Sequence, residues 1–337
     1  MARAWLASRK VPAAARQARA GSFTRRTVGR LFRLGRFLLL AALSFVLVYP
    51  LLYMLSNAFK PFLQTYDPAV IWLPKSLTLE NVRDALAILD FGTAAQNTLL
   101  TAVVTSFIQV MACMLVGYGF ARFDFRFKKA AFMLVVLTMI VPQQTVSTSL
   151  YTTYRYFDPF GLMGLASALT GGAVPDHLNL IDRPWLFWLP AMLGMGLRSG
   201  IYIFVYRQFF HSMPSELEEA AEIDGASPLG TFFHVMLPNA GTVILTVLLF
   251  ALVWNWNDYY TPAMFMKNHL TLATALSSFQ SNLQNLSVIG GNYTDAALVA
   301  TRMQAAGLLV IAPLLILYAF TQRFFIQSVE RTGLTGM

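Results

Sequence analysis

Six stretches of this chain are too long and too apolar to be kept in water. From Phe37 to Leu55 there are 19 consecutive residues without a charge, and comparable runs occupy roughly Thr98–Phe120, Ala130–Tyr154, Leu186–Tyr206, Gly241–Trp256 and Met303–Gln322. A bilayer offers no water to a bare backbone N–H or C=O, so a helical span must satisfy its own backbone and needs about 20 apolar residues. The expected fold is all-α: a polytopic membrane protein with six transmembrane helices. Composition agrees, at 12% charged residues against about 25% for a soluble domain.

Charge orders these helices across the bilayer. Residues 1–36 hold ten Arg and Lys and no acid, and removing them from the net charge of +9 leaves −1. The basic character is therefore a terminal feature beside an apolar segment, which argues against nucleic acid. It reads as a disordered cytoplasmic tail attracted to anionic lipid headgroups. An organellar transit peptide shares this composition; a secretory signal does not fit, because the run Phe37–Leu55 is too long and no small-residue cleavage site follows. The short loop 121–129 packs Arg122, Arg126, Lys128 and Lys129 into nine residues, whereas the longer segments 56–97, 155–185 and 257–302 hold seven Lys and Arg between them. Positive charge gathers inside, so both termini and residues 207–240 are expected in the cytoplasm.

No catalytic apparatus is legible. The single cysteine, Cys113, lies in an apolar run and allows no disulfide framework. His177, His211, His234 and His269 are scattered, two on each expected side, and nothing in the sequence makes them converge on a metal. No Gly-rich loop ends in Gly-Lys-Ser/Thr, so the chain has no ordinary cradle for ATP phosphates.

One polar island interrupts the apolar regions, from Met213 to Pro238. Ser215 followed by Glu218 reads as a capping box that starts a helix at Glu216. Gly225 suits the left-handed residue that ends a helix, and Ser227-Pro228 suits the cap and first turn of another. Leu217, Ala220, Ala221 and Asp224 fall at i, i+3, i+4 and i+7 and share a face, on which the alanines allow a second backbone to come close. On periodicity alone the segment is either a docking helix or a solvated loop.

Its spacing resembles a known signature. Glu219-Ala220-Ala221, three residues, Gly225, nine residues, Val235, one residue and Leu237-Pro238 are similar to the EAA motif of ABC-importer permeases, with Val where that family often has Ile. Several further stretches resemble carbohydrate-type permeases in the same order. They are Pro50-Leu51-Leu52-Tyr53-Met54-Leu55, Leu79-Glu80-Asn81, Asn97-Thr98, Tyr118-Gly119-Phe120-Ala121-Arg122-Phe123, Pro142, Arg207-Gln208-Phe209-Phe210 and Gln322-Arg323-Phe324-Phe325, with the terminal Gly333-Leu334-Thr335-Gly336. The similarity covers residues 37–337 and leaves the tail 1–36 outside.

The resemblance implies a type I ABC importer permease fold in a bacterial plasma membrane, itself no enzyme. The loop 213–238 would be the coupling helix region, meeting an ATPase through Glu219, Ala220, Ala221, Asp224, Gly225, Leu237 and Pro238. Implied partners are a second related permease, two ATPase subunits that bind ATP and Mg, an external solute-binding protein and a sugar. Permeases for other solutes share the loop motif. A self-contained secondary transporter would need buried carboxylates as an ion relay, and the expected spans hold none.

Two features bear on a path through the membrane. Trp254-Asn255-Trp256-Asn257-Asp258, at the outer end of helix five, reads either as an interfacial aromatic belt or as stacking faces alternating with polar groups for a sugar. Arg198 lies either at mid-depth in helix four, where it would require a partner or a water-filled cavity, or near the outer interface if that helix starts later. Gly196 and Gly200 are spaced for close helix approach. The segment 155–185 is longer than the family usually shows, and Leu162–Leu169 within it reads as an interfacial helix or as a plain loop.

Overall fold

A computed structural model describes the backbone of residues 13–288 and 295–334, and the side chains of 29–285 and 295–322. Residues 1–12 of the tail, 289–294 and the terminal Thr335-Gly336 lie outside it, as do the side chains of Arg323, Phe324 and Phe325. Regular structure among the described residues is helical, apart from one antiparallel bridge between Phe157 and Leu178.

Helix α1 (Ala13–Ala58) starts inside the basic stretch set down as a disordered tail; residues rich in Ala and Arg favour helix, and the backbone continues through residue 36 into the first span. Three helices are individually long and apolar enough to cross a membrane: Gly29–Ala58 of α1, α3 (Phe91–Arg122) and Ala296–Gln322 of α15 (Ala296–Leu334). Two bent helix pairs are apolar enough to make one further span each. Helices α4 (Lys128–Ile140) and α5 (Gln143–Arg155) meet at 103°, where Val141 is pushed to an extended backbone by Pro142. Helices α10 (Pro228–Asn239) and α11 (Gly241–Asn257) meet at 79°. The expected fourth span, Leu186–Tyr206, is corrected: it divides into α7 (Trp185–Met192) and α8 (Ser199–Ser212). Gly194 and Arg198 between them have φ of 68° and 63°, which no α-helix accommodates. Among the described residues, length and composition support three spans, or five when each bent pair counts as one.

Helices α3 and α8 run side by side in the same direction. A Cβ at Gly117 would lie 2.6 Å from the Cβ of Tyr206, so only glycine permits this approach. Gly200 does the same for α4, where a Cβ would meet the Val135 carbonyl at 3.0 Å. Val110, Met114, Tyr118, Tyr206, Phe210, Phe232 and Val247 fill this half of the core. The other half gathers the end of α1, α2 (Glu80–Ile88), the start of α3, α13 (Leu272–Ser277), α14 (Phe279–Val288) and α15. There Asn81 Nδ2 donates to the carbonyls of Lys60 (2.9 Å) and Asn57 (3.2 Å) and fastens α2 to the end of α1.

The long segment 155–185 contains a helix, α6 (Leu162–Leu169), whose first turn is tied by Asp158 to the Met163 N–H at 2.7 Å. Asp182, at φ 64°, accepts from the N–H groups of Lys267 and Asn268, both at 3.1 Å, and from the Asn268 side chain at 2.5 Å. Burial pushes the Asp182 carboxyl up, but these hydrogen bonds and the neighbouring His269 outweigh it and hold the group below its ordinary value. The segment is therefore stitched to the stretch between α12 (Tyr260–Phe265) and α13.

Candidate coupling loop and transport path

Helix α9 (Glu216–Ile223) forms where the sequence indicates, and Gly225 follows with φ 81°. The Ala226 N–H reaches back to the Ala221 carbonyl at 2.9 Å and closes the helix end. Ser227 accepts from the Gly230 N–H at 3.1 Å and Pro228 occupies the first turn of α10, as expected. The capping box is corrected. Ser215 makes no side-chain cap, because its backbone is already helical and Glu218 is engaged elsewhere. One Glu218 oxygen accepts from Tyr118 Oη at 2.9 Å, and the other lies 3.2 Å from Arg122 Nε. Arg122 also donates to the Met213 carbonyl at 2.8 Å. Tyr118 and Arg122 sit one turn apart on α3, so the end of that helix holds the loop at both its entry and its first turn.

This fastening decides which face of α9 is free. Ala221 turns inward, 7% exposed, while Glu219, Ala220 and Asp224 remain exposed. Leu237 is partly buried against the core and Pro238 is exposed. Besides Leu217, the outward surface carries apolar groups that sequence reading did not single out: Ile223 is 86% exposed, and Leu229 and Phe233 are also open. Their signal was available, since an isoleucine next to Asp224 off the alanine face has no local partner to bury it.

The five residues at the end of α11 point in different directions. Trp256 is corrected from a path residue to a core one: it is 7% exposed, packs with Ala305, Ala306 and Val310, and donates Nε1 to the Val310 carbonyl at 3.1 Å. Asn255 is half-buried and donates to Ser106 Oγ at 2.9 Å and Gln109 Oε1 at 3.1 Å. Gln109, fully buried, donates in turn to the Leu197 carbonyl (2.6 Å) and Ser199 Oγ (2.8 Å). Asn257 returns to the Val253 carbonyl at 2.8 Å, and Asp258 accepts from the Thr261 N–H at 3.1 Å. Trp254 stays exposed, with the Arg198 guanidinium 4.5 Å from its ring centre. Arg198 caps α8, so the helix starts later than the sequence pattern places it. The loop 213–238 lies at the last turn of α3 and the end of α8, whereas this cluster lies at the middle of α3 and the start of α8.

Comparison with known proteins places this geometry. Residues 113–331 match the family described as binding-protein-dependent transport system inner membrane component. The maltodextrin transport system permease protein MalD of Streptococcus pneumoniae is 24% identical over 89% of this chain and 94% of its own. The arabinooligosaccharides transport system permease protein AraQ of Halalkalibacterium halodurans is 27% identical over 88% and 94%. The fold is shared with a chain of a bacterial ABC transporter involved in the import of the acidic polysaccharide alginate, with a TM-score of 0.63 at 19% identity, over 88% of this chain and 97% of that one. The loop fastened to α3 is thus part of a permease, and the chain belongs to the family of binding-protein-dependent transport system inner membrane components.

Proposed function

We propose that this permease forms one half of the path by which an ATP-driven importer admits a sugar or oligosaccharide delivered by an external binding protein. The supporting observation is the loop: α9 is held rigidly to α3 on one side and offers Glu219, Ala220, Ile223 and Asp224 on the other. A helix fixed to a span and bare on its outer face can pass a push from a second protein to the membrane helices, which is what coupling requires. In this reading a second permease completes the path, and two ATPase subunits carry ATP and Mg. The sugar class follows from relatives such as MalD and AraQ. Proteoliposomes holding the full complex test it: uptake of a labelled oligosaccharide should require both the binding protein and internal ATP. Uptake by this chain alone, without nucleotide, would make it a secondary transporter instead.

Orientation is tested separately. Single cysteines at Ser8, Ser76 and Thr335 in a Cys113→Ala background should react with an impermeant thiol reagent from outside intact cells only at position 76. Labelling at 8 or 335 would invert the topology.

The chain reversal after α9 gives a further expected result. Gly225 has open space around it but a positive φ, so Gly225→Val adds strain of about 1–3 kcal/mol without a clash. The permease should insert and pair normally, while recovery of the ATPase on co-purification falls severalfold. Unchanged recovery would show that the direction of α9 is not set at this residue.

A further inference from the structure

The path residues share one depth, and that depth contains a charge with no counter-charge. Counted along the helices from the end that bears the loop, Gln109 lies 13 residues before Arg122, Trp254 13 residues beyond Gly241, and Arg198 just past the 14-residue α8. At 1.5 Å per residue each is about 20 Å from that end, inside a hydrocarbon slab of about 30 Å. Ser106, Gln109, Ser199 and Asn255 satisfy one another there. Arg198 is exposed, and among the described residues no carboxylate pairs with it. Its visible contact is the open face of Trp254.

A cation at this depth must face water or an anion. Two further facts favour an anion. The left-handed backbone at Arg198 fixes the side chain at the start of α8, where the helix dipole adds positive potential. The guanidinium stays free to present its planar donor edge to a carboxylate while its face rests on the indole. A sugar ring bearing a carboxylate fits both partners at once, with its apolar face on exposed aromatic surface and its acid on the guanidinium. We propose that Arg198 and Trp254 form a relay site for an acidic saccharide, one carrying uronate-type carboxylates, as it crosses the outer half of the membrane. This deepens the sugar-import reading and rests on it.

The test uses the full complex in proteoliposomes with its binding protein. Labelled oligogalacturonate is compared with the same oligosaccharide after its carboxyl groups have been reduced to alcohols. The wild type should take up the acidic form, and Arg198→Gln should lower that uptake about tenfold, the loss expected of one charge-assisted hydrogen-bonded contact, while sparing any uptake of the neutral form. Arg198→Lys should restore part of it. Arg198→Cys in the Cys113→Ala background should react with a water-soluble thiol reagent and be shielded by the acidic oligosaccharide. Uptake of the neutral form only, or an equal loss of both forms in Arg198→Gln, overturns the relay site but leaves sugar import standing. ATP-dependent uptake of no saccharide overturns the sugar reading itself. A cysteine at 198 that never reacts would place the residue against a partner helix and also overturn the proposal.

Discussion

Trp256→Ala is expected to destabilise the fold by about 3–5 kcal/mol, the range for emptying an indole-sized volume from a packed core. The indole lies in one buried cluster with Ala305, Ala306 and Val310 of α15. Small neighbours cannot swell into the space, so relaxation recovers little. Trp256→Phe keeps most of the volume and forfeits the hydrogen bond to Val310, about 0.5–1.5 kcal/mol. The measurable consequence is an order of midpoint temperatures in detergent: wild type, then Phe, then Ala, with uptake falling only as folded protein is lost. Trp254→Ala should behave in the opposite way, retaining the midpoint and losing uptake, because that ring is exposed. A Trp256→Ala variant that melts like the wild type would put the residue on an open surface.

The contrast between these two tryptophans shows where the sequence stops informing. Successive helical residues turn by about 100°, so Trp254, Asn255 and Trp256 cannot share a wall, and which one meets the core depends on where α15 lies. That contact joins residues 54 positions apart. The spans α1, α3 and Ala296–Gln322 were legible because hydropathy simply accumulates along them. The breaks were less so: a hydropathy window sums side chains and ignores φ and ψ, so the left-handed Arg198 vanished inside an apolar run. Pro142 was visible, and its effect on Val141 follows from local sterics. Gly225 was legible for the same reason, since a positive φ at a helix end favours one residue type. The capping box failed because Glu218 had better partners on α3, about 100 residues earlier, and local patterns carry no information about them.

Those partners set the last expectation. Arg122 and Glu218 are mostly withdrawn from water, their side chains 13% and 17% exposed. Glu218→Ala removes the acceptor of both Tyr118 and Arg122 and leaves a guanidinium largely buried beside an unpaired hydroxyl. Losing one member of a fully buried pair costs about 3–5 kcal/mol, and the residual exposure here lowers the expected figure to about 2–3 kcal/mol. The loss should be local. Tyr118 still packs on Phe210 and Phe232, so the α3 and α8 pair stays assembled while α9 comes loose from it. Glu218→Ala and Arg122→Ala should each leave the permease in the membrane but cut ATP-driven uptake and ATPase recovery, and the double variant should be less impaired than the sum, because removing both charges leaves neither stranded. Glu218→Gln keeps the Tyr118 hydrogen bond and should fall between. Strict additivity in this cycle, with uptake close to wild type in both single variants, would mean that the loop is held by its apolar contacts alone and that the ion pair transmits nothing.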